Sequence, residues 1–236
     1  MRKSHNVFKR PPKKYQPKGL AVVYEDRDIL VVDKISGILT VPNNKVKDNT
    51  AYNLLTKYVQ KGNSKSKNRL FVVHRLDKDS SGILVFAKNH NAKRFLQKEW
   101  PGFIHRFYAV IEGMMLEKEG VITSYLAENS IYKMYSVNDP QKGKLASTAY
   151  KVIRESNRYS LLEIELKGAR KNQVRVHLAE RGFPIVGDRK YGQKEKGIKR
   201  LALHAGSVAI VHPFSNDEMI FEAILPVYFK KLMEAG

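Results

Sequence analysis

Between Phe71 and Asn89 the chain reads FVVHRLDKDSSGILVFAKN, and the polar middle of that stretch holds more chemistry than a turn requires. FVV and GILVFA are runs of β-branched and aromatic residues of strand length. Asp79, Ser80, Ser81 and Gly82 suffice to turn the chain between them, through side-chain bonds to the backbone and a permissive glycine. His74, Arg75 and Asp77 are surplus to the turn. A carboxylate so placed can attack as a nucleophile or take a proton. It can equally be a structural ion pair with Arg75 or Lys78.

The charge of the whole chain bears on that choice. Forty-three Lys and Arg against 23 Asp and Glu leave a formal +20, and the excess is clustered. Residues 1–24 hold seven Lys or Arg and no acid, residues 61–69 four more and none, and Lys194 to Arg200 four against Glu195. Such fields attract polyanions by counterion release, so the expected partner is nucleic acid. An anionic membrane surface is the alternative, but no basic amphipathic helix is evident.

Other chemistries lose support. No GxxxxGK[ST] occurs and no two glycines stand two apart, so neither phosphate-loop pattern is present. The seven histidines form no HExxH or HxxxH pair, and with no cysteine there is no thiolate nucleophile and no zinc–cysteine site. Asp26/Asp28 and Asp77/Asp79 are D-x-D pairs of the kind that can hold magnesium, but one aspartate of such a pair is usually a cap or turn residue. No metal site is therefore expected. No apolar run reaches the roughly 18 residues of a membrane span, and no apolar stretch follows the basic N-terminus as in a secretory signal. The expected location is the cytoplasm.

The elements that must position Asp77 read as follows. Residues 1–19, polar with prolines at 11, 12 and 17, suggest a basic flexible tail before a single domain from 20 to 236. Strands are predicted at 20–26, 28–34, 38–42, 71–73, 82–87, 106–112, 121–126, 131–137, 147–154, 159–166, 201–211 and 219–225. Helices are predicted after Thr50, from Asn89 to Trp100, from Ala169 to Arg181, and from Val227. Strands outnumber helices and connections are short, which favours an α+β fold with a central, mostly antiparallel mixed sheet and flanking helices.

His74-Arg-Leu-Asp-Lys-Asp-Ser-Ser-Gly-Ile-Leu84 resembles the H-R-L-D-x-x-[ST]-S-G-[LI]-L signature of the RluA-type family of RNA pseudouridine synthases. The resemblance continues in the family's order from about residue 20 to 226. Asp28-Ile-Leu-Val-Val-Asp-Lys34 with Gly37 and Pro42 is similar to its opening strands, and Phe107-Tyr-Ala-Val-Ile-Glu-Gly113 to its Y-x-A-x-V-x-G strand. Ala169-Arg-Lys-Asn-Gln-Val-Arg-Val-His177 resembles G-R-T-H-Q-I-R-V-H. Pro184-Ile-Val-Gly-Asp188 with Tyr191-Gly192, and Leu201-Ala-Leu-His-Ala205 with His212-Pro213, match the last blocks. Ile35 replaces a usual proline, Ala169 a usual glycine, and Asn172 a usual histidine. Only the basic tail stands where many members carry a small N-terminal RNA-binding domain.

The resemblance implies isomerisation of uridine in RNA: the bond from uracil nitrogen 1 to the ribose breaks, the base turns, and carbon 5 rejoins the sugar. It implies a pseudouridine synthase core with an RNA-binding cleft, no cofactor, and a catalytic carboxylate at Asp77, acting as nucleophile or as base. An isolated buried carboxylate tends to take up a proton, so a fixed cation is expected beside it, and Arg175 is the candidate by alignment. Tyr108 is aligned with the family's active-site tyrosine and is expected to stack on the uracil. His74 and Arg75 anchor the loop or contact RNA; Arg170, Gln173 and Leu203 are further RNA-side candidates. His177, His204 and His212 read as structural. The implied partner is ribosomal or transfer RNA, with no membrane or protein partner and a monomeric chain. The rival reading is a non-catalytic RNA-binding or ribosome-assembly factor on the same fold.

Overall fold

The computed structural model describes residues 11–63, 65–192, 198 and 200–235. The strands are β1 (Leu20–Glu25), β2 (Ile29–Lys34), β3 (Phe71–Val72), β4 (Ser81–Ala87), β5 (Ile104–Glu112), β6 (Glu119–Glu128), β7 (Met134–Val137), β8 (Lys144–Glu155), β9 (Tyr159–Lys167), β10 (Leu203–Val211) and β11 (Glu218–Glu222). The helices are α1 (Ala51–Val59), α2 (His90–Glu99), α3 (Gln173–Glu180) and α4 (Val227–Ala235). The strands make one sheet in the order β1-β2-β4-β10-β5-β9-β8-β6-β7, with β3 added to β4 and β11 to β10. All described pairs are antiparallel except β4 with β10.

β2 and β4 read as unbroken apolar runs because they are covered on both faces. Leu30, Val32, Leu84 and Phe86 pack with Leu55 of α1, while Ile29, Val31, Ile83 and Val85 pack with Ala92 and Leu96 of α2. A third core joins β5, β9 and β10 to α3 and to Phe229 of α4. Thr50 caps α1 by accepting from Asn53 N, and Asn89 caps α2 by accepting from Ala92 N at 2.8 Å. No helix among the described residues is long and apolar enough to cross a membrane.

Several expected boundaries move. Residues 38–42 form no strand; Leu39 makes an isolated bridge to Thr50, and the segment's polar groups serve the Asp77 loop instead. The helix expected from Ala169 starts at Gln173, because Asn172 stands in the left-handed region at φ 53°. β7 starts at Met134 rather than Ile131, since residues 129–133 form a turn. Gly82 lies within β4, not in a turn. Its φ is +112°, and a Cβ there would stand 2.1 Å from the Ala205 carbonyl oxygen, so only glycine lets β4 and β10 meet. The expected flexible tail has structure from Lys13, where a 3₁₀ turn (Lys13–Tyr15) begins, and the Gln16 side chain accepts from Val22 N at 2.8 Å. Residues 1–10 of that tail, and residues 193–197 and 199 of the last basic cluster, lie outside the described residues.

Candidate active site

Asp77 sits in the loop between β3 and β4, and the segment after β2 holds that loop in place. Lys34 is fully buried, and its Nζ donates to the carbonyls of Ser80 (2.7 Å), Ile38 (2.9 Å), Ile35 (3.0 Å) and Lys78 (3.3 Å). Burial drives its pKa down to about 8, so the ammonium form still dominates at pH 7. Thr40 Oγ1 donates to Leu76 O at 2.8 Å and accepts from Leu76 N at 3.1 Å. Gly37 N donates to Lys78 O at 2.8 Å and Ser36 Oγ to Asp79 O at 2.7 Å. Asp77 is thereby placed by its neighbours' backbone rather than by its own side chain.

The side chain of Asp77 meets groups nearly a hundred residues away. Its Oδ2 accepts from Arg175 Nη1 and from Asn172 Nδ2, each at 2.7 Å. Oδ1 receives no hydrogen bond among the described residues, so one oxygen is fixed and the other available. The Asp77 side chain is 30% exposed, whereas that of Arg175 is 9% exposed and that of Asp188 fully buried. Arg175 grips Asp188 through Nε to Oδ2 at 2.7 Å and Nη2 to Oδ1 at 2.8 Å, a two-pronged pairing that orients the third nitrogen toward Asp77. Burial works against the charged guanidinium, yet Asp188 and Asp77 outweigh it and hold its pKa above the ordinary value. Asp188 Oδ1 also accepts from Lys190 N and Tyr191 N, and the Arg175 guanidinium lies 5.2 Å from the centre of the Tyr191 ring.

The loop borders a cleft of about 1090 Å³ whose lining includes Leu39, Phe71, Trp100, Phe107, Arg170, Arg175, Leu203 and Ala205. Its floor is apolar and its rim cationic, with Arg75, Lys78, Arg170 and Lys171 exposed around Asp77. This arrangement suits an unstacked base in contact with the floor while its phosphates face the rim.

The expected site residues divide accordingly. Asp77 and Arg175 meet, and Leu203 lines the cleft. His74 is an anchor: Nε2 accepts from Val85 N at 2.9 Å, its ring stacks on Trp100 at 4.1 Å, and burial holds its pKa well below the ordinary value. Arg75 and Arg170 are exposed on the cleft wall. Gln173 is buried and bonds inward, through Nε2 to Ser147 O and Thr148 Oγ1. His177 and His204 are also buried and engaged by hydroxyls, of Thr148 and Ser124 for one and Ser81 for the other.

Tyr108 requires correction. Its hydroxyl donates to Glu163 Oε2 at 3.3 Å across the β5–β9 pair, and its ring lies against Gly206. The residue before it, Phe107, lines the cleft, because successive side chains of a strand point to opposite faces. Laid on Phe107 to Gly113, the pattern Y-x-A-x-V-x-G itself starts at Phe107, two residues before Ala109. An aromatic face is present at that place, but no phenol. Asp188 was not singled out from the sequence. The signal available was a Gly-Asp in a family block, together with the need of a buried arginine for an acid.

Comparison with known proteins agrees with this geometry. Residues 28–180 match the family model described as RNA pseudouridylate synthase. The chain is 36% identical over 217 residues to YhcT, an uncharacterized RNA pseudouridine synthase of Bacillus subtilis, covering 90% of this chain and 71% of the relative. It is 34% identical over 233 residues to ribosomal large subunit pseudouridine synthase D of Zymomonas mobilis, covering 91% and 73%. The structure titled Human RNA Pseudouridylate Synthase Domain Containing 4 superposes with a TM-score of 0.71 over 89% of this chain and 90% of its own, at 21% identity, a likeness of fold. With more than half its length matched and relatives above 30% identity along most of it, the chain belongs to the RNA pseudouridine synthases, enzymes that isomerise uridine in RNA.

Proposed function

We propose that the chain isomerises uridine in ribosomal RNA of the large subunit, with Asp77 as the carboxylate that acts on the ribose. The observation that carries the catalytic part is the asymmetry of Asp77: Oδ2 is fixed by Arg175 and Asn172, and Oδ1 is left for the substrate. From there Oδ1 attacks the anomeric carbon or takes a proton from the adjacent ribose carbon. Either route breaks the bond from nitrogen 1 to the sugar, and the base turns. On the first route carbon 5 displaces Oδ1 from the anomeric carbon and frees the carboxylate; on the second carbon 5 adds to that carbon and Asp77 returns the proton to the ribose. Carbon 5 then gives up its own proton, and nitrogen 1 gains one. Phe107 and Leu203 offer the apolar surface on which the freed base turns without leaving. The choice of RNA is supported by relatives named for the large ribosomal subunit, such as that of Zymomonas mobilis.

The test is to treat unmodified ribosomal and transfer RNA with the purified protein and with Asp77→Asn, then map new pseudouridines. Formation in large-subunit RNA by the wild type and none by Asp77→Asn is the expected result. New pseudouridine in transfer RNA alone overturns the substrate, and activity retained in Asp77→Asn overturns the catalytic assignment. RNA binding without any isomerisation would favour an assembly factor on this fold.

A further inference from the structure

The hairpin joining β6 to β7 breaks a local rule next to the cleft. Asn129 N donates to Lys133 O, Tyr132 N donates to Asn129 O, and the Asn129 side chain accepts from the backbone of Ile131 and Lys133. In such a turn the residue that closes it, two before the returning strand, is left-handed, a place that glycine or asparagine normally takes. Here it is Tyr132, at φ 58°. That backbone is disfavoured for a bulky side chain, and the ring gains no burial in return: Tyr132 is 72% exposed. A strained aromatic held out in solvent calls for a use outside the folding of the hairpin.

Its surroundings indicate that use. Lys171 Nζ, on the cleft wall, lies 5.6 Å from the centre of the Tyr132 ring and pairs with Glu128. Lys190 Nζ donates to Tyr132 O at 2.8 Å and reaches Asn172 Oδ1 at 3.4 Å, which ties the hairpin tip to the residue that holds Asp77. Lys133 follows in sequence and is exposed. Lys171 faces the Tyr132 ring itself, while Lys133 Nζ and Lys190 Nζ each lie 5.4 Å from the centre of the neighbouring Tyr191 ring. An exposed aromatic face with cations close by matches a nucleotide, a flat base with an anionic phosphate. When one uridine leaves its stack, its neighbours lose a face, and an exposed ring beside the cleft can supply one.

We propose that Tyr132, with Lys133, Lys171 and Lys190 around it, is a stacking platform for an unpaired RNA base beside the uridine that enters the cleft. This rests on the reading of the Asp77 cleft as the uridine site. The conformation supplies its own control, because Tyr132→Gly removes the ring and relieves the backbone at once. Its thermal midpoint should match or exceed that of the wild type, so a loss of binding cannot come from unfolding.

The experiment measures binding of a fluorescein-labelled 12-nucleotide oligouridylate and a 12-base-pair RNA duplex, at one salt concentration, to wild type, Tyr132→Gly, Tyr132→Trp and Asp77→Asn. Tyr132→Gly should bind the single strand about ten-fold more weakly and the duplex as the wild type does, and Tyr132→Trp should keep both affinities. Unchanged single-strand affinity in Tyr132→Gly, or equal loss toward strand and duplex, overturns the platform. Asp77→Asn should bind both as the wild type does. Failure of the catalytic reading would appear as retained turnover in that variant, a readout separate from the Tyr132 binding result.

Discussion

The side-chain amide of Asn172 donates to Oδ2 of Asp77 at 2.7 Å, from the position that holds histidine in the G-R-T-H-Q-I-R-V-H pattern the chain resembles. Asn172 can do this because its left-handed backbone turns the amide back toward the cleft while α3 starts behind it. Its Oδ1 is engaged in turn by Tyr191 Oη at 3.2 Å, which fixes which end of the amide faces Asp77.

Removing that donor tests its role. A hydrogen bond to a charged group contributes about 1.5–3 kcal/mol, so Asn172→Ala should slow single-turnover isomerisation by roughly ten- to a hundred-fold. Asn172→His, which keeps a ring N–H within reach, should recover part of the loss. Equal rates in wild type and Asn172→Ala would mean that Arg175 alone positions the carboxylate.

Asp188 should matter to the fold more than its distance from substrate suggests. Asp188→Asn leaves the buried Arg175 without its main counter-charge, at a cost of about 3–5 kcal/mol in urea unfolding at pH 7. Burial tends to raise the Asp188 pKa, but the bond and charge of Arg175 and the N–H groups of Lys190 and Tyr191 outweigh it and hold it down. A depressed folded pKa gives stability that is complete above the unfolded value of about 3.9 and is lost as pH falls through the folded value. The gap between wild type and Asp188→Asn should therefore close below about pH 4. A gap that persists at low pH would show that the packing of Asp188, not its charge, is what counts.

Phe107 and Tyr108 make opposite predictions from adjacent positions. Phe107→Ala should weaken productive RNA binding by about 1–3 kcal/mol through loss of the face in the cleft. Tyr108→Phe loses one 3.3 Å bond to Glu163, should cost under about 1 kcal/mol of stability, and should leave turnover unchanged. The reverse pattern, measured as kcat and KM on the same RNA, would return Tyr108 to the site.

Neutral histidines should make the protein sensitive to mild acid. Burial pushes His204 down to about 4, holds His74 well below its ordinary value, and lowers His105 and His177. The unfolded chain takes up protons at these rings from about pH 6.5, and the native state does not. Their contribution is thus complete above pH 6.5 and falls by up to about 1.4 kcal/mol per pH unit for each ring as the pH drops toward the folded values. Urea midpoints between pH 8 and pH 5 measure this, and a flat profile would mean that the rings are already charged in the native state.

The sequence disclosed what local pattern determines. β2 and β4 were legible as unbroken apolar runs, and α1 and α2 by their caps. Asp77 and Arg175 were legible because a signature names them, and their contact in space agrees with it. Residues 38–42 misled because the apolar pattern is real but its hydrogen-bonding groups go to a loop nearly forty residues on, which no local rule reveals. Tyr108 misled through a one-residue shift, and in a strand one residue is the difference between the two faces. Lys34 was legible as a motif letter, not as a buried ammonium holding four carbonyls, because its partners are backbone atoms that carry no sequence signal.

The parallel contact of β4 with β10, through Ser81 with His204 and Gly82 with Ala205, has a kinetic meaning. On one side stand β1 to β4, and on the other β5 to β11, and β4 with β10 is the strand pair that joins the two sets. Asp77 belongs to the first set, and Asn172, Arg175 and Asp188 to the second, so the bonds to Asp77 span 95 and 98 residues. Closing so long a loop costs chain entropy before any contact returns it, which makes the joint a late event in folding. In refolding from urea, circular dichroism should recover ahead of activity, and Gly82→Ala, which obstructs the joint, should widen that delay. The proposed catalytic centre is then also the clasp of the fold, and on that reading activity appears only as the two sets of strands close on each other.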